Sequence, residues 1–509
     1  MWKYIGIGIY LVILLGIGVV AAKRTKDARD YFAGGKRLGF WAVAFSSRAT
    51  GESAWLLLGL TGMGATIGAR GFFVVLGEMI GVGGAWLLMS RRFHRLTMRY
   101  DSVTIPDYLE SRFRDKSHML RMVAAGALVL FVTIYVSAQI DATGKAFESF
   151  LGTTHLQGAL IGFAVVLVYS VSGGFLAVVW SDIFQGTLML VGLVVLPAVA
   201  LFSVGGPSGL IDSLNAIDPN LLTASGGGEW NLNVVCGTLG LAMIGLGFLG
   251  SPQIFVRFLA LRDEKEIGKG ASVAIVWTLL ADSGAVLVGM IGRAALTEPG
   301  IDVESVLGGG GEDVLPLLVE HVMPAALVGL YVAIVLSAIM STVDSLLVLA
   351  GSAAVRDYYQ RVRHPELSDK DLLKISRRVT LGLALVALAV ALTVAYTNEN
   401  RSLFWFIIFG WSGIAATFCP MMILSLFWRN MTSRGALAAM ITGIACIPIF
   451  KFWAPDWPIL GEPLKNLTEL PPSFALSLLA GVLFSLGDKR GREQLVGLNS
   501  ELDEAARKP

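Results

Sequence analysis

Long apolar runs separated by short polar segments make up most of the 509-residue chain. A helix that crosses a lipid bilayer needs roughly 20 mostly apolar residues, and by that criterion the pattern predicts thirteen membrane-spanning helices. The segments between them are short connectors, so we expect a single membrane domain over 1–509 and no separate soluble domain. The predicted spans are 4–22, 40–68, 72–90, 119–147, 156–173, 175–203, 232–256, 271–296, 323–353, 379–397, 403–428, 434–453 and 472–487.

The first run is interpreted as an uncleaved helix that enters the membrane from outside. Its apolar stretch of about 18 residues exceeds the roughly 7–15-residue core of a signal peptide. Lys23, Arg24 and Lys26 follow the run, whereas only Lys3 precedes it. This charge difference places the end of the first helix on the cytoplasmic side.

The basic residues along the rest of the chain fit the same orientation. Short cytoplasmic loops are enriched in Lys and Arg. With an outside N-terminus, such loops, the helix ends beside them and the tail hold 32 of the 40 basic residues. The loops at 204–231 and 297–322 contain neither Lys nor Arg. We therefore predict a multi-pass protein of the plasma (inner) membrane, with its N-terminus outside and its C-terminus in the cytoplasm.

Composition narrows the classes of function. The chain is 55% hydrophobic and 15% charged, whereas soluble globular domains are about 25% charged, so a soluble enzyme lacks the polar surface it would need. A net charge of +2 gives no basis for nucleic-acid binding. The three cysteines lie in or beside apolar runs and are expected to be small core residues.

Two of the predicted spans are interrupted at depth. The second contains the polar segment 46–53, and the seventh contains the glycine-rich segment 245–252. Backbone released from a helix inside a bilayer must be satisfied by protein, water or a ligand, and paired interruptions indicate the central site of a transporter. The alternative is that these residues only kink tightly packed helices.

The interrupted spans are five helices apart, so the blocks that begin with them enter the membrane from opposite sides. This spacing predicts an inverted repeat of two five-helix units, 40–203 and 232–428. The helix at 4–22 precedes the repeat, two additional helices at 434–487 follow it, and 488–509 is a cytoplasmic tail.

Eight ionisable residues fall within the predicted spans, where each charge costs about 3 kcal/mol and is a functional candidate. Arg48 and Glu52 are four residues apart. They therefore either neutralise each other on one helix face or line a cavity and meet a charged substrate. The eight residues are Arg48, Glu52, Glu78, Asp141, Asp182, Arg257, Asp282 and Asp344.

The ninth span carries hydroxyls and a carboxylate on one face. At about 100° per residue, Ala338, Ser341, Thr342, Asp344 and Ser345 share one side of the helix. Oxygen ligands beside a broken helix suit an alkali cation. The alternative is that the hydroxyls hold neighbouring helices together.

Signatures of an enzyme are weak. All five histidines fall in or beside predicted loops, and the sequence has no metal-ligand spacing or phosphate-binding glycine loop. An intramembrane pair of Asp182 and Asp344 is disfavoured because Asp182 lies near the end of its span. We expect a protein that is not an enzyme.

Five segments carry a family likeness: YFAGGKRLGFW at 31–41, SAWLLLGLTG at 53–62, GGFLAVVWSDIFQGTLM at 173–189, FLGSPQIFVRF at 248–258 and SAIMSTVDS at 337–345. They resemble the sodium/solute symporter family, in particular its bacterial sodium/proline branch. The likeness runs from about residue 30 to residue 358 and is weaker beyond. It implies an all-α integral membrane protein of about thirteen helices with a LeuT-type core of two inverted five-helix repeats.

The resemblance also implies a sodium site between the first broken helix and the ninth span. The backbone carbonyls of Ala49 and Glu52 correspond to ligands on the broken helix. The carbonyl of Ala338 and the hydroxyls of Ser341 and Thr342 correspond to the ligands on the ninth span.

Some members of that family have a second sodium site, whose positions correspond to Asp182, Asp344 and Ser345. A serine is usual at the position of Asp344. The carboxylate in this chain would either strengthen cation binding or admit coupling to protons.

Solute-binding positions of the proline branch correspond to Trp55 and Tyr135, which are retained. A third position, normally Trp, is Ile244, and Gly247 lies beside it in the second break. The resemblance therefore implies a solute pocket at Trp55, Tyr135 and Ile244, and we expect the glycine-rich break with Gly247 to line it as well.

Three residues of the first broken helix depart from that branch. Gly51 replaces an Asp, and Arg48 and Glu52 stand where small or apolar residues are usual. An Arg in the pocket favours a carboxylate and a Glu favours an amine, so we expect an amino acid or related zwitterion. A simple organic acid paired to Arg48 is the competing prediction.

We predict a secondary active symporter that uses the sodium gradient to import a small organic solute, such as proline, by alternating access. Sodium is the expected co-transported ion, and the solute and the lipid bilayer are the expected partners, with no nucleic acid and no obligate protein partner. The alternatives are proton coupling or organic-acid transport on the same fold, and a transport-like sensor subunit, for which the tail at 488–509 is too short.

Overall fold

The computed structural model describes residues 2–23, 34–398 and 401–507, and within them the chain is helical without a β-strand. The basic residues Arg24 and Lys26 and the start of the 31–41 segment (31–33) lie outside the described residues. The α-helices are α1 (Trp2–Ala22), α2 (Phe40–Ala54), α3 (Thr61–Ile67), α4 (Phe72–Gly84), α5 (Ser90–Arg99), α6 (Ile105–Phe113), α7 (Met119–Leu151), α8 (His155–Ser203), α9 (Gly206–Ile217), α10 (Leu232–Ala242), α11 (Pro252–Ala260), α12 (Ile267–Leu296), α13 (Val303–Leu307), α14 (Val314–Val322), α15 (Ala325–Ser352), α16 (Asp369–Thr397), α17 (Leu403–Phe427), α18 (Ser433–Pro448), α19 (Gly461–Leu467), α20 (Leu470–Gly487), α21 (Lys489–Leu495) and α22 (Asn499–Ala506).

Tighter and wider helical turns join several of these helices without a loop. The π-helical segments are Trp55–Leu60, Ala85–Met89, Ala353–Arg363 and Ile449–Trp453. The 3-10 segments include Gly68–Gly71 between α3 and α4 and Met243–Phe248 after α10.

Eleven segments of the described chain are long and apolar enough to cross a membrane. Predicted spans two and three form one apolar segment, Phe40–Arg99, because only 3-10 and π turns separate its helices. Predicted spans five and six form the single helix α8, whose backbone leaves helical geometry at Gly174 (φ 61°, ψ −167°). The predicted thirteen spans are thus an approximate count, and the mergers arise where short turns keep the chain helical.

Large apolar side chains on these helices remain exposed at the protein surface. Ile80, Leu88 and Phe202 are examples. Apolar surface of this extent is covered by lipid in a membrane protein, in agreement with the apolar spans.

Glycines bring the central helices into close contact. Helix α12 packs against α2, α3, α4 and α8. A Cβ atom at Gly64 would lie 2.3 Å from the carbonyl oxygen of Val286, and one at Gly289 would lie 2.0 Å from that of Thr61. Small residues at such crossings are typical of membrane helices, and here they hold α12 against the first broken helix.

Two cavities of very different size lie towards opposite ends of the bundle. Helix α7 contributes Lys145 to a cavity of about 860 Å³ that also reaches Gly59 and Phe404. The same helix contributes Leu128 to a cavity of about 20 Å³ beside Arg257. The cavity at the Lys145 end of α7 is therefore wide, and the cavity at the Leu128 end is narrow.

Candidate functional site

The first broken helix is stabilised by side chains of its neighbours. Ser53 ends the helical geometry of α2 with φ 46° and ψ −167°, so carbonyls before it need donors other than the usual intrahelical amides. The amide of Ala54 donates to the Gln139 side chain at 3.1 Å, and Gln139 Nε2 donates to Ser53 Oγ at 3.2 Å. The break thus falls at the last residue of the predicted polar segment 46–53.

Two hydroxyls of α15 donate hydrogen bonds to carbonyl oxygens that precede the break. Ser341 Oγ donates to the carbonyl oxygen of Ala49 at 2.9 Å, and Thr342 Oγ1 donates to that of Thr50 at 3.2 Å. Both hydroxyls also contact the carbonyl oxygen of Ala338, at 3.1 and 3.2 Å. The structure therefore brings four of the five predicted sodium ligands into one buried group of oxygens. Oxygen ligands of this kind suit an alkali cation, and the sodium site itself stays a prediction.

The fifth predicted ligand is the backbone carbonyl of Glu52, on α2. The side chain of Glu52 is buried and forms an ion pair. Arg48 forms ion pairs with Glu52 and with Glu78 of α4, the latter at 3.1 Å. The Arg48 guanidinium also lies over the rings of Phe248 and Trp277, at 4.7 and 5.6 Å from their centroids. Of the two interpretations of Arg48 and Glu52, this geometry is that of a mutual ion pair, and their binding of solute stays a prediction.

The guanidinium of Arg257 lies among oxygens of the predicted second sodium site. Its Nη2 donates to Thr50 Oγ1 and Ser345 Oγ, both at 2.6 Å, and lies 3.2 Å from Asp182 Oδ2. Ser46 accepts from Arg257 Nε at 3.0 Å and donates to Asp182 at 2.6 Å. A tethered cation thus balances the charge of Asp182, and a sodium ion there would have to share or displace it.

Asp344 completes the predicted second site. It is fully buried on α15, and its Oδ1 accepts from the Ser345 amide at 2.5 Å. The second sodium site stays a prediction, to which the structure adds Arg257 as a competing positive charge.

The predicted solute residues Trp55 and Tyr135 meet at the first break. Trp55 Nε1 donates to the carbonyl oxygen of Gly51 at 3.1 Å, and the Tyr135 hydroxyl donates to Ser53 Oγ at 3.3 Å. The ring of Trp55 lies edge-on to that of Phe404, with centroids 6.2 Å apart. Because Phe404 lines the 860 Å³ cavity, it lies between that cavity and the predicted solute residues.

The second break presents its backbone to the aromatic side chain of Trp411 on α17. Trp411 Nε1 donates to the carbonyl oxygen of Ile244 at 3.1 Å, and a Cβ atom at Gly247 would lie 2.3 Å from the indole. The Trp411 ring lies 4.9 Å from that of Phe248 and 6.5 Å from that of Tyr135. Trp411 therefore connects the second break to Tyr135, which contacts the first break at Ser53.

Sequence reasoning missed Gln139, Phe404 and Trp411. Gln139 is a polar residue four positions after Tyr135 in an apolar span, and this spacing on one helix face was an available signal. Phe404 and Trp411 lie in an aromatic-rich span that gives no local indication of function. Their places follow only from the packing of α17 against the two broken helices.

Comparisons with known proteins agree with this architecture. The model of the sodium:solute symporter family matches residues 31–443. The chain is similar to the high-affinity proline transporter PutP of Bacillus subtilis (strain 168), at 34% identity over 475 residues that cover 93% of this chain and 95% of that protein. It is also similar to the sodium/proline symporter of Escherichia coli (strain K12), at 32% identity over 486 residues that cover 94% of this chain and 91% of that protein.

Solved structures give the same fold. A Na⁺-coupled sialic acid symporter in a substrate-bound outward-open state matches with a TM-score of 0.76 at 18% identity, covering 96% of this chain and 98% of that chain. MhsT in complex with L-phenylalanine matches with a TM-score of 0.53 at 16% identity, covering 86% of this chain and 98% of that chain. At these identities the likeness shows the fold alone, and it confirms the predicted LeuT-type helical architecture.

Proposed function

The chain belongs to the sodium:solute symporter family, and from this premise we propose that the solute it imports is proline. Members of this family are transporters and not enzymes. The chain is a multi-pass membrane protein that couples the uptake of a small solute to sodium. Proline as the solute, the orientation of the termini and the residues of the binding sites are our proposals.

The ion pairing of Arg48 with two buried carboxylates is the observation that favours proline over a simple organic acid. An organic acid would need an available cation in the pocket. The Arg48 guanidinium is instead paired with Glu52 and Glu78. The proposed pocket beside Trp55 and Tyr135 offers aromatic faces and neutral hydrogen-bonding groups, which suit a small zwitterion with an apolar ring.

The two broken helices are proposed to move against the rest of the bundle during transport. Sodium bound by Ala49, Ala338, Ser341 and Thr342 would hold the first break in the geometry that binds the solute. Rocking of the helix bundle that contains both broken helices against the other bundle would then open the opposite end of the pathway. With the N-terminus outside, the 860 Å³ cavity faces the exterior, which supports an outward-facing state.

Uptake by purified protein in proteoliposomes tests the proposal. We expect accumulation of labelled proline driven by an inward sodium gradient, little accumulation with potassium in place of sodium, and competition by unlabelled proline but not by acetate or lactate. A protonophore should leave the initial rate unchanged. Sodium-driven uptake of an organic acid without proline uptake would overturn the choice of solute, and sodium-independent uptake abolished by the protonophore would overturn sodium coupling.

A further inference from the structure

Three buried carboxylates meet between α2, α4 and α12. Glu52, Glu78 and Asp282 are each at most 1% exposed. One carboxylate oxygen from each lies within 4.8 Å of one from each of the others. Nothing in the sequence pattern joins them, since each comes from a different span, and neither Glu78 nor Asp282 belongs to the sodium sites implied by the family resemblance.

The charge at this carboxylate trio is not balanced by the residues that face it. Helix α2 contributes Arg48, which pairs with Glu52 and Glu78. Helix α7 contributes the neutral hydroxyl of Tyr135, which donates to Ser53, and α12 contributes the ring of Trp277. The other buried guanidinium near α2, that of Arg257, is paired with Asp182. Three carboxylates and one guanidinium leave a formal charge of −2.

Of the trio, Glu52 and Asp282 lack a hydrogen-bond donor among the described residues; Glu52 is ion-paired with Arg48, which leaves Asp282. Neither of its oxygens receives a hydrogen bond from the described residues, although the side chain is fully buried. Burial of a charged group without a partner costs several kcal/mol. Among the described residues Asp282 therefore has no paired donor, and its buried carboxyl must be neutralised by a cation or by a proton.

We propose that Glu52, Glu78 and Asp282 bind a sodium ion additional to the one predicted at Ala49 and Ser341, and this inference rests on the sodium symport proposed above. Three points no more than 4.8 Å apart can all lie within about 2.8 Å of one centre. Small shifts then reach the roughly 2.3–2.6 Å oxygen distances of a hard cation of this size. The ion would supply Asp282 with its missing partner and reduce the excess negative charge.

Glu52 would connect the two ions. Its carboxylate belongs to the trio, and its backbone carbonyl lies one residue before the break at Ser53. An ion on the trio therefore fixes the side chain of a residue whose main chain belongs to the predicted sodium site. Positive coupling between the two ions follows, because each orders the same segment of α2.

Thermal stability in detergent separates the two sites without measuring transport. A ligand that binds only the folded state raises the melting temperature with its concentration. In the Ser341→Ala/Thr342→Ala variant we expect sodium chloride, compared with choline chloride, to retain part of its stabilising shift. Adding Asp282→Asn to that variant should reduce the remaining shift further, and adding Asp212→Asn, a change at an exposed residue of α9, should not.

Equal remaining shifts with Asp282→Asn and Asp212→Asn would overturn the proposal, as would stabilisation by calcium in place of sodium. Glu78→Gln provides an independent removal of a ligand if the Asp282→Asn variants do not fold. Because this assay uses no solute, a protein that fails to transport proline but shows both sodium shifts would refute the proposed solute and leave the carboxylate site intact.

Ion counting in proteoliposomes completes the test. We expect the ratio of labelled sodium to labelled solute in the Asp282→Asn variant to fall by one sodium ion per solute, with the Hill coefficient for sodium falling by about 1. An unchanged sodium ratio accompanied by loss of proton uptake would assign the counter-charge to a proton and overturn the sodium site.

Discussion

At the scale of single residues, the central chemistry depends on two hydroxyls that replace lost helical donors. Ser341 and Thr342 donate to the carbonyls of Ala49 and Thr50, at 2.9 and 3.2 Å, which stand just before the break at Ser53. A sodium ion at the predicted site would take over the Ala49 carbonyl and use the two hydroxyl oxygens as ligands. These three oxygens already lie together in the structure, through the hydrogen bond of Ser341 to Ala49 and the contacts of both hydroxyls with Ala338.

Removal of both hydroxyls is expected to weaken sodium dependence strongly. For Ser341→Ala/Thr342→Ala we expect the sodium concentration for half-maximal proline uptake to rise at least about tenfold, equivalent to ~1.4 kcal/mol, because two ligands are lost. Thr278→Ala is the control, since that hydroxyl donates to the Ala274 carbonyl of its own helix at 2.9 Å. Sodium dependence equal to that of the control would contradict the predicted site.

These residues also show how far sequence reasoning reaches. Ser341 and Thr342 were identified because their spacing and the family motif are both local. Sequence reasoning places Arg257 only among the eight ionisable residues of the spans, although its guanidinium contacts Ser46, Thr50, Asp182 and Ser345. Its contacts could not be inferred because they join four segments far apart in the chain.

At the scale of elements, the second break is shaped by backbone contact with α4. A Cβ atom at Gly81 would lie 2.0 Å from the carbonyl oxygen of Gly245, and one at Gly77 would lie 1.8 Å from that of Ala242. Because Gly77 and Gly81 have no side chain, the backbone at Ala242 and in the 3-10 segment Met243–Phe248 can pack directly against the backbone of α4. The sequence predicted this break from its glycines, but not the helix that it contacts.

A pair of alanine substitutions on α4 tests this contact. Gly81→Ala should lower stability by about 1–3 kcal/mol through overpacking and reduce uptake, because the 3-10 segment must move away. Gly83→Ala on the same helix should be tolerated, since its Cβ would have only a side-chain atom of Ile275 at 3.7 Å. Melting temperature and uptake rate are the two measurements, and equal effects of the two substitutions would refute the packing argument.

At the scale of the whole molecule, a network of charges closes the narrow end of the pathway. Asp107 of α6 binds Arg121 of α7 at 2.9 Å and Arg356 of the π segment after α15 at 2.8 Å. Asp357 binds Arg121 at 2.7 Å and lines the 20 Å³ cavity. Three elements are thereby held together at the end opposite the large cavity.

The pKa of Asp107 indicates that this carboxylate stays ionised at physiological pH. Burial alone would raise the pKa of the carboxyl, but the guanidiniums of Arg356 and Arg121 hold it well below its usual range. A lowered folded-state pKa stabilises the protein fully above the unfolded value of about 3.9, and that stabilisation is lost as the pH falls further. Across pH 5–8 we therefore expect no change in closure from this group.

Neutralising Asp107 should open the narrow end. Removing one charge of a buried network costs about 3 kcal/mol, so Asp107→Asn is expected to increase labelling of a Ser352→Cys reporter, which lines the small cavity, by an impermeant thiol reagent. The background should lack the cysteines at 236, 419 and 446. Asp371→Asn, on an exposed residue of α16, is the control, and equal labelling in both variants would exclude a role for Asp107 in closure.

The sequence by itself determined the properties that depend on neighbouring residues. Apolar runs specify membrane helices because each span must satisfy its own backbone in lipid, and polar or glycine-rich interruptions mark where that rule is broken. The family, the LeuT-type architecture and both breaks were therefore accessible from the printed residues.

Only the tertiary structure decided which charges meet. Arg48 pairs with Glu52 and Glu78, Asp282 is left without a donor, and Arg257 lies beside Asp182. These outcomes depend on how α2, α4, α8, α11 and α12 are rotated and packed. In a low-dielectric interior a displacement of a few ångströms changes the energy of a charge pair by several kcal/mol, and no linear pattern of residues encodes such a distance.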